Sequence, residues 1–298
     1  VPRILIIVLI LVWASWVGAA DGFDLETWKQ KKRSEVEAAA EKKDPEALFA
    51  LAMFHWEGHQ TARDPAKAFA WAVRAAEAGH AKAMNTVGVC LANGFGVERN
   101  LADARAWYEK SAARDYAPAA FNLGKMYFDG ITVERDPVQG VAWFRKAAEL
   151  GDVESQNLLA MCYARGTGVL ADPKEAVAWY LRAAEAGHAP SQNDLAAHYI
   201  KGNGVAKNPT QAFAWARRAA EQNYAPALFN LGVFYEDGLG TEKNKVEALK
   251  WFILAARAGD DAAKEERSRL ESELPPEARE RALRLANAHA TSNAPPAN

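Results

Sequence analysis

Residues 143–151 read WFRKAAELG and residues 179–187 read WYLRAAEAG. The two stretches start 36 residues apart, and the interval recurs: Trp71, Trp107, Trp143, Trp179, Trp215 and Trp251 keep it without a slip. A fixed period of this length marks a stack of supersecondary units, each covering its neighbour's apolar face. Around the tryptophans other columns keep register. A helix N-cap stands seven residues before each Trp, as Asp64, Asn100, Asp136, Asp172, Asn208 and Asn244. Four of these caps are followed by proline, which suits a first helical position because no partner waits there for its missing N–H. Eight residues after each Trp come Gly79, Asp115, Gly151, Gly187, Asn223 and Gly259, the residue types that tolerate a left-handed backbone at a helix end. A helix of about fifteen residues, helix B, is bracketed in every unit. Its Trp column is expected to face the packed interior.

A second helix, A, precedes the glycine found thirteen residues before each Trp (Gly58, Gly94, Gly130, Gly166, Gly202, Gly238). Its columns run Leu51, Val87, Leu123, Leu159, Leu195 and Leu231, then Ala52, Gly88, Gly124, Ala160, Ala196 and Gly232. The small residue lets a neighbouring helix approach closely. His55, Leu91, Tyr127, Tyr163, Tyr199 and Tyr235 form a third column. The unit is a helical hairpin, and no strand pattern survives.

The pattern A-x-x-x-L-G/A-x-x-Y-x-x-G-x-G-V, then D/N-P, K/E-A-x-x-W-Y/F and A-A-E-x-G, is carried most clearly by LGKMYFDG (123–130) and ARGTGV (164–169) with the two stretches quoted above. It resembles the Sel-one-like repeat, a relative of the tetratricopeptide repeat. The resemblance covers residues 44–260 and implies an all-α, right-handed α-solenoid of six 36-residue helix-turn-helix units. The first unit departs from the pattern: His55 and Gln60 replace the Tyr and the second loop Gly. Residues 21–43 are read as an N-terminal capping helix, with Ala39, Ala40 and Glu41 one period before Ala75, Ala76 and Glu77. Residues 261–290 are read as C-terminal capping helices, the last over 276–289, and 291–298 as a disordered tail. Terminal units of a stack are atypical because they have a neighbour on one side only.

Arg3 precedes an uncharged run from Ile4 to Ala20 with small residues at its end. This is the layout of a secretory signal peptide cleaved after Ala19 or Ala20. The alternative is an inner-membrane anchor over 4–20, at the lower limit of a bilayer span, and a membrane enters only in that case. The protein is otherwise expected to be periplasmic or secreted. Formal net charge is −2, which argues against a nucleic-acid partner, since phosphate neutralisation needs clustered positive charge. Cys90 and Cys162 are two units apart in one column. Two helix-packing steps of about 8–10 Å exceed the roughly 7 Å limit for a disulfide, so both are read as free, buried thiols.

The sequence carries none of the motifs of serine acyl-transfer or zinc-protease chemistry. No serine has Lys three residues later, no K-T-G occurs, and G-x-S-x-G is absent. His55 and His59 flank the helix end at Gly58, so they do not share a helix face in the way H-E-x-x-H requires. His80 and His188 are read as solvent-facing turn residues. No catalytic residue, metal or cofactor is assigned. Binding is expected instead, on helix A. Positions two before the Leu column read Phe49, Asn85, Phe121, Asn157, Asn193 and Phe229, and those two after it include Met53 and Lys125, with Phe128 one turn on. Aromatic and Met anchors interleaved with Asn amides suit a protein or peptide segment laid along a concave groove. The resemblance implies the same class: an exported, non-catalytic interaction scaffold or regulator. The alternatives are a β-lactam-binding or β-lactam-hydrolysing protein, a role linked to cysteine-rich members of the family, and a glycan-binding envelope protein.

Overall fold

Each helix B starts where the sequence provides a side-chain acceptor for its first free N–H groups. Asp64 accepts from the Lys67 N–H and Asn100 from those of Ala102 and Asp103; Asp136, Asp172, Asn208 and Asn244 act likewise. The same capping residue closes the hairpin. Its own N–H donates to the helix A carbonyl of the His55 column, at 2.8 Å for Asp64 to His55 and 2.9 Å for Asp172 to Tyr163. Caps, loop and helix end are thereby fixed together in every unit.

The computed structural model describes residues 23–131 and 134–292. The signal-peptide or anchor reading of 1–20, and the tail from 293, lie outside the described residues. Among them the chain is all-helical. Two short helices come first, α1 (Leu25–Lys29) and α2 (Arg33–Glu41). Six hairpins follow: α3 (Pro45–Glu57) with α4 (Pro65–Glu77), α5 (Ala81–Asn93) with α6 (Leu101–Ala112), and α7 (Ala117–Asp129) with α8 (Pro137–Glu149). Then come α9 (Val153–Arg165) with α10 (Pro173–Glu185), α11 (Ala189–Lys201) with α12 (Pro209–Glu221), and α13 (Ala225–Asp237) with α14 (Lys245–Arg257). The last helices are α15 (Asp261–Glu273) and α16 (Pro276–Ser292). The chain divides into two compact units, Val1–Asp152 and Val153–Asn298, so three hairpins belong to each.

The structure departs from the sequence expectation at three places. The N-terminal stretch is two helices rather than one; Asp24 starts a separate turn, its carboxylate accepting from the Glu26 N–H and the Thr27 hydroxyl. The last helix runs on to Ser292, through residues assigned to a disordered tail. The Trp column is not uniformly interior: Trp71, Trp107 and Trp143 are half-buried, while Trp179, Trp215 and Trp251 are buried. At four of these positions a basic side chain one turn on covers the ring, as with Arg74 over Trp71 and Lys110 over Trp107, both 4.1 Å from the centroid.

The interior position of helix B is the next residue along. Tyr108, Phe144, Tyr180 and Phe252 are buried, and each of three faces a glycine twenty residues earlier in its own hairpin. A Cβ on Gly88 would lie 2.6 Å from the Tyr108 ring, one on Gly124 2.4 Å from Phe144, and one on Gly232 2.6 Å from Phe252. Real Cβ atoms do not approach so closely, so these three rings as placed need the glycine, while Tyr180 is accommodated opposite Ala160. Where the ring is absent, at Ala72 and Ala216, the small column holds Ala52 and Ala196. Close packing of a core couples the two choices. Cys90 and Cys162 are free and buried, and burial pushes their thiols up to about 12 and about 11.

Candidate functional site: the exposed face of the A helices

In the first unit the face begins under cover. Phe49 and Met53 are only 2% and 3% exposed, so they offer almost no surface. Phe49 lies beneath Phe23, ring centroids 4.9 Å apart and edge-on, and stacks on His80 at 4.8 Å. Further along, the face opens. Asn85 is half-buried and its Oδ1 accepts from Asn122 Nδ2 at 3.0 Å, which ties α5 to α7. Phe121 and Phe128 are half-buried and lean on the interior ring of Phe144, with centroids 6.2 and 5.6 Å away. Lys125 pairs with Asp129 at 2.6 Å, one helical turn on.

In the second unit the equivalent positions are more polar. Asn157 is buried; its Oδ1 accepts from the Ser191 hydroxyl at 2.8 Å. Asn193 Oδ1 accepts from Asn230 Nδ2 at 2.8 Å, repeating between α11 and α13 the amide bridge seen between α5 and α7. Phe229 is half-buried against Phe252, 5.5 Å between centroids. Six of the nine sequence-predicted residues therefore keep accessible surface: Asn85, Phe121, Lys125, Phe128, Asn193 and Phe229. Phe49, Met53 and Asn157 are packing residues.

Sequence reasoning passed over Asp194, which stands beside this face. Its carboxyl is held above the usual carboxylate range by burial, against opposing hydrogen bonds from Tyr180 and Asn193. Tyr180 in turn lies against His198, 5.4 Å between ring centroids. The signal was present: the column Ala50, Thr86, Asn122, Leu158, Asp194, Asn230 carries a single charge.

His80 and His188 do not face solvent as expected. Both are half-buried N-caps. His80 Nδ1 accepts from the Ala83 N–H at 3.1 Å, and His188 Nδ1 from the Ser191 N–H at 3.4 Å. Around His188 an acid–His–Ser row forms, with Glu154 Oε2 3.3 Å from Nε2 and Ser191 Oγ 2.8 Å from Nδ1. Ser191 is 0% exposed and its hydroxyl proton is directed to Asn157. That leaves no approach for a substrate and no proton passed to the imidazole, so the row works as a helix start. His55 is buried, its Nδ1 without a hydrogen-bond partner among the described residues, while His59 Nε2 lies 3.2 Å from the Lys29 carbonyl.

The sequence model of the Sel1 repeat matches residues 45–80, 81–116, 117–152, 153–188, 189–224 and 225–260. A Sel1 repeat protein from Oxalobacter formigenes is similar over 84% of this chain and 96% of its own, at 27% identity and a TM-score of 0.65. A protective antigen of uropathogenic Escherichia coli with an SLR fold, c5321, is similar over 88% of this chain and 64% of its own, at 26% identity and a TM-score of 0.56. No curated protein sequence matches the chain.

Proposed function

The chain belongs to the Sel1 repeat family, whose members generally mediate protein–protein interaction, and from that premise we propose that it is a non-catalytic scaffold that binds a partner segment on its A helices. The observation that supports this most is the repeated pairing of a half-buried aromatic with an amide bridge: Phe121 beside Asn85–Asn122, and Phe229 beside Asn193–Asn230. Each bridge uses one oxygen and one amide group, so the Asn85 amide and the Asn122 carbonyl keep capacity for a further hydrogen bond. An extended backbone offers complementary groups, and the adjacent ring offers an apolar anchor. In its setting the protein is exported, a reading supported by the basic, apolar and small-residue order of 1–20. N-terminal sequencing of the native protein is then expected to begin at Ala20 or Asp21.

A photo-crosslinking amino acid placed at Phe121 or Lys125 is expected to trap a discrete adduct in the native envelope, and the same probe at Arg145 or Arg182 on helix B to trap none. Adducts from helix B alone would refute the assignment of the binding face.

A further inference from the structure

The N-terminal stretch is gripped in a way that capping alone does not require. Phe23 touches α3 through Phe49 and the start of α5 through His80, 4.9 and 5.7 Å between centroids, with the Lys82 ammonium 5.5 Å above its ring. A side chain that reaches two successive A helices lies across their shared face, not beyond the end of the row. Leu25 and Trp28 follow on α1 and are buried. The polar side is equally specific. Lys29 pairs with Glu57, at the end of α3, at 2.9 Å. Gln60 Nε2 donates to the carbonyls of Lys29 and Lys31 at 3.4 and 3.0 Å, and His59 Nε2 lies 3.2 Å from the Lys29 carbonyl.

Gln60 is the informative member. It occupies the position of the second loop glycine, and at Gly96, Gly204 and Gly240 a Cβ would come within 2.0–2.1 Å of the carbonyl oxygen of Pro65, Pro173 or Pro209. Those prolines open helix B; the residue in the same register before Gln60 is Lys29, the last of α1, and beside it a side chain fits, even at φ 53°. That side chain reads main-chain carbonyls of the segment lying beside it. Apolar pockets for alternate side chains combined with main-chain hydrogen bonds are how a protein surface holds a peptide.

We infer that the A-helix face of the first two repeats is a binding site for a short segment carrying two aromatic side chains five residues apart, and that Phe23–Trp28 occupies it in cis, in competition with a partner segment of the same chemistry. This rests on the A-helix face being the partner surface. A tethered occupant acts at an effective concentration on the order of millimolar, so a free segment of modest affinity is kept out until the chain's own is displaced.

The test uses a labelled peptide of residues 23–32, FDLETWKQKK, and fluorescence anisotropy with the full chain. A Phe23→Ala/Trp28→Ala variant is expected to bind it at least tenfold more tightly than the wild type does, and adding Phe49→Ala to remove the gain. Equal affinity in wild type and double variant would overturn the proposal. Since the double variant could loosen the first repeat, hydrogen exchange on the wild type provides an independent reading. Amides of 25–31 should exchange at least tenfold faster than those of α3, as a segment that lifts off a folded face must; equal protection makes the segment core and overturns the proposal. A wild-type dimer in light scattering that the double variant loses would make a second copy the trans occupant and overturn a separate partner. Crosslinking at Phe121 is independent of all these outcomes, so failure here leaves the broader binding-face reading to stand or fall by its own test.

Discussion

Repeats 1–3 and repeats 4–6 are built on one backbone plan, yet they present different chemistry at the same helix A positions. The first unit shows Phe121 and Phe128 with Lys125 between them and a lone amide bridge at Asn85–Asn122. The second shows Asn193–Asn230, the half-buried Asp194 and a single ring, Phe229. What stays constant is what the hairpin needs: caps, left-handed helix ends, the Leu column and the small column. What varies lies in the columns either side of these. A segment resting on the first unit gains chiefly from apolar area, about 25 cal/mol per Å² removed from water, whereas one resting on the second gains chiefly from hydrogen bonds and charge.

The largest expected effect separates scaffold from surface. Phe144→Ala removes a fully buried ring and is expected to cost about 3–5 kcal/mol. Trp143→Ala, half-buried, should cost less, about 1–2 kcal/mol. Urea unfolding measures both, and a larger cost for Trp143 would reverse the assignment of the interior column. Because repeat stability is a sum of local and nearest-neighbour terms, hydrogen exchange in Phe144→Ala should accelerate in repeats 2 and 3 well before repeats 5 and 6. Equal acceleration everywhere would mean that the two units unfold as one.

Next in size is the small column. Gly124→Ala in the first unit sets a Cβ against the Phe144 ring and should cost about 1–3 kcal/mol by overpacking. Its second-unit counterpart, Ala196→Gly, faces Ala216 and clashes with nothing, so only about 0.5–1 kcal/mol of helix propensity is lost. The paired variant Gly124→Ala/Phe144→Ala should cost less than the sum of its parts, since one change empties the space the other invades. Strict additivity would show that the two positions are not coupled.

These positions also mark how far the sequence could be read. Six tryptophans in register, the Asp/Asn caps and the Gly columns specify the hairpin because each acts within a few residues of itself. The interior ring escaped notice because Tyr108, Phe144, Tyr180 and Phe252 are interrupted by Ala72 and Ala216, and the compensation lies twenty residues away. The Trp column misled for a related reason: Trp143 has the size of a core residue but is half-buried, and the next residue, Phe144, takes the interior position. On the face itself, Phe121 and Asn85 were legible from column position. The burial of Phe49 was not, since part of its cover, Phe23, belongs to no repeat. Asp194 was visible only as one charge in an otherwise neutral column.

Acid should move the two units in opposite directions. His55 is held below its ordinary value, first by burial and then by the charges of Arg33 and Lys67. Its contribution is present above the unfolded value near 6.5 and is lost as pH falls through the lower folded one. Asp194 is raised by burial, so its contribution is full below the unfolded value near 3.9 and is lost as pH rises through the raised folded one. His55→Tyr, which restores the column residue, should make repeat 1 less acid-labile between neutral pH and pH 5. Asp194→Asn should raise the melting temperature at pH 7 more than at pH 3. A Tm difference for Asp194→Asn that is the same at both pH values would show that the carboxyl is not desolvated.

The smallest effect concerns helix B. Arg182 lies over the Trp179 ring, 4.3 Å from its centroid, as Lys110 lies over Trp107 in the first unit. Removing either cation should cost about 0.5–1 kcal/mol, the size of an exposed cation–π contact, with Arg182 at the upper end because its planar guanidinium can also stack. The comparison becomes sharper with Arg182→Lys, which keeps the charge and loses the stacking plane, and which should recover part of the loss. Crosslinking from Phe121 should be unchanged in all three variants, because these side chains belong to helix B and cover its Trp rings. A drop in crosslinking with stability intact would place the partner on helix B, and the contrast between an invariant scaffold and a variable binding face would have to be drawn through helix B instead.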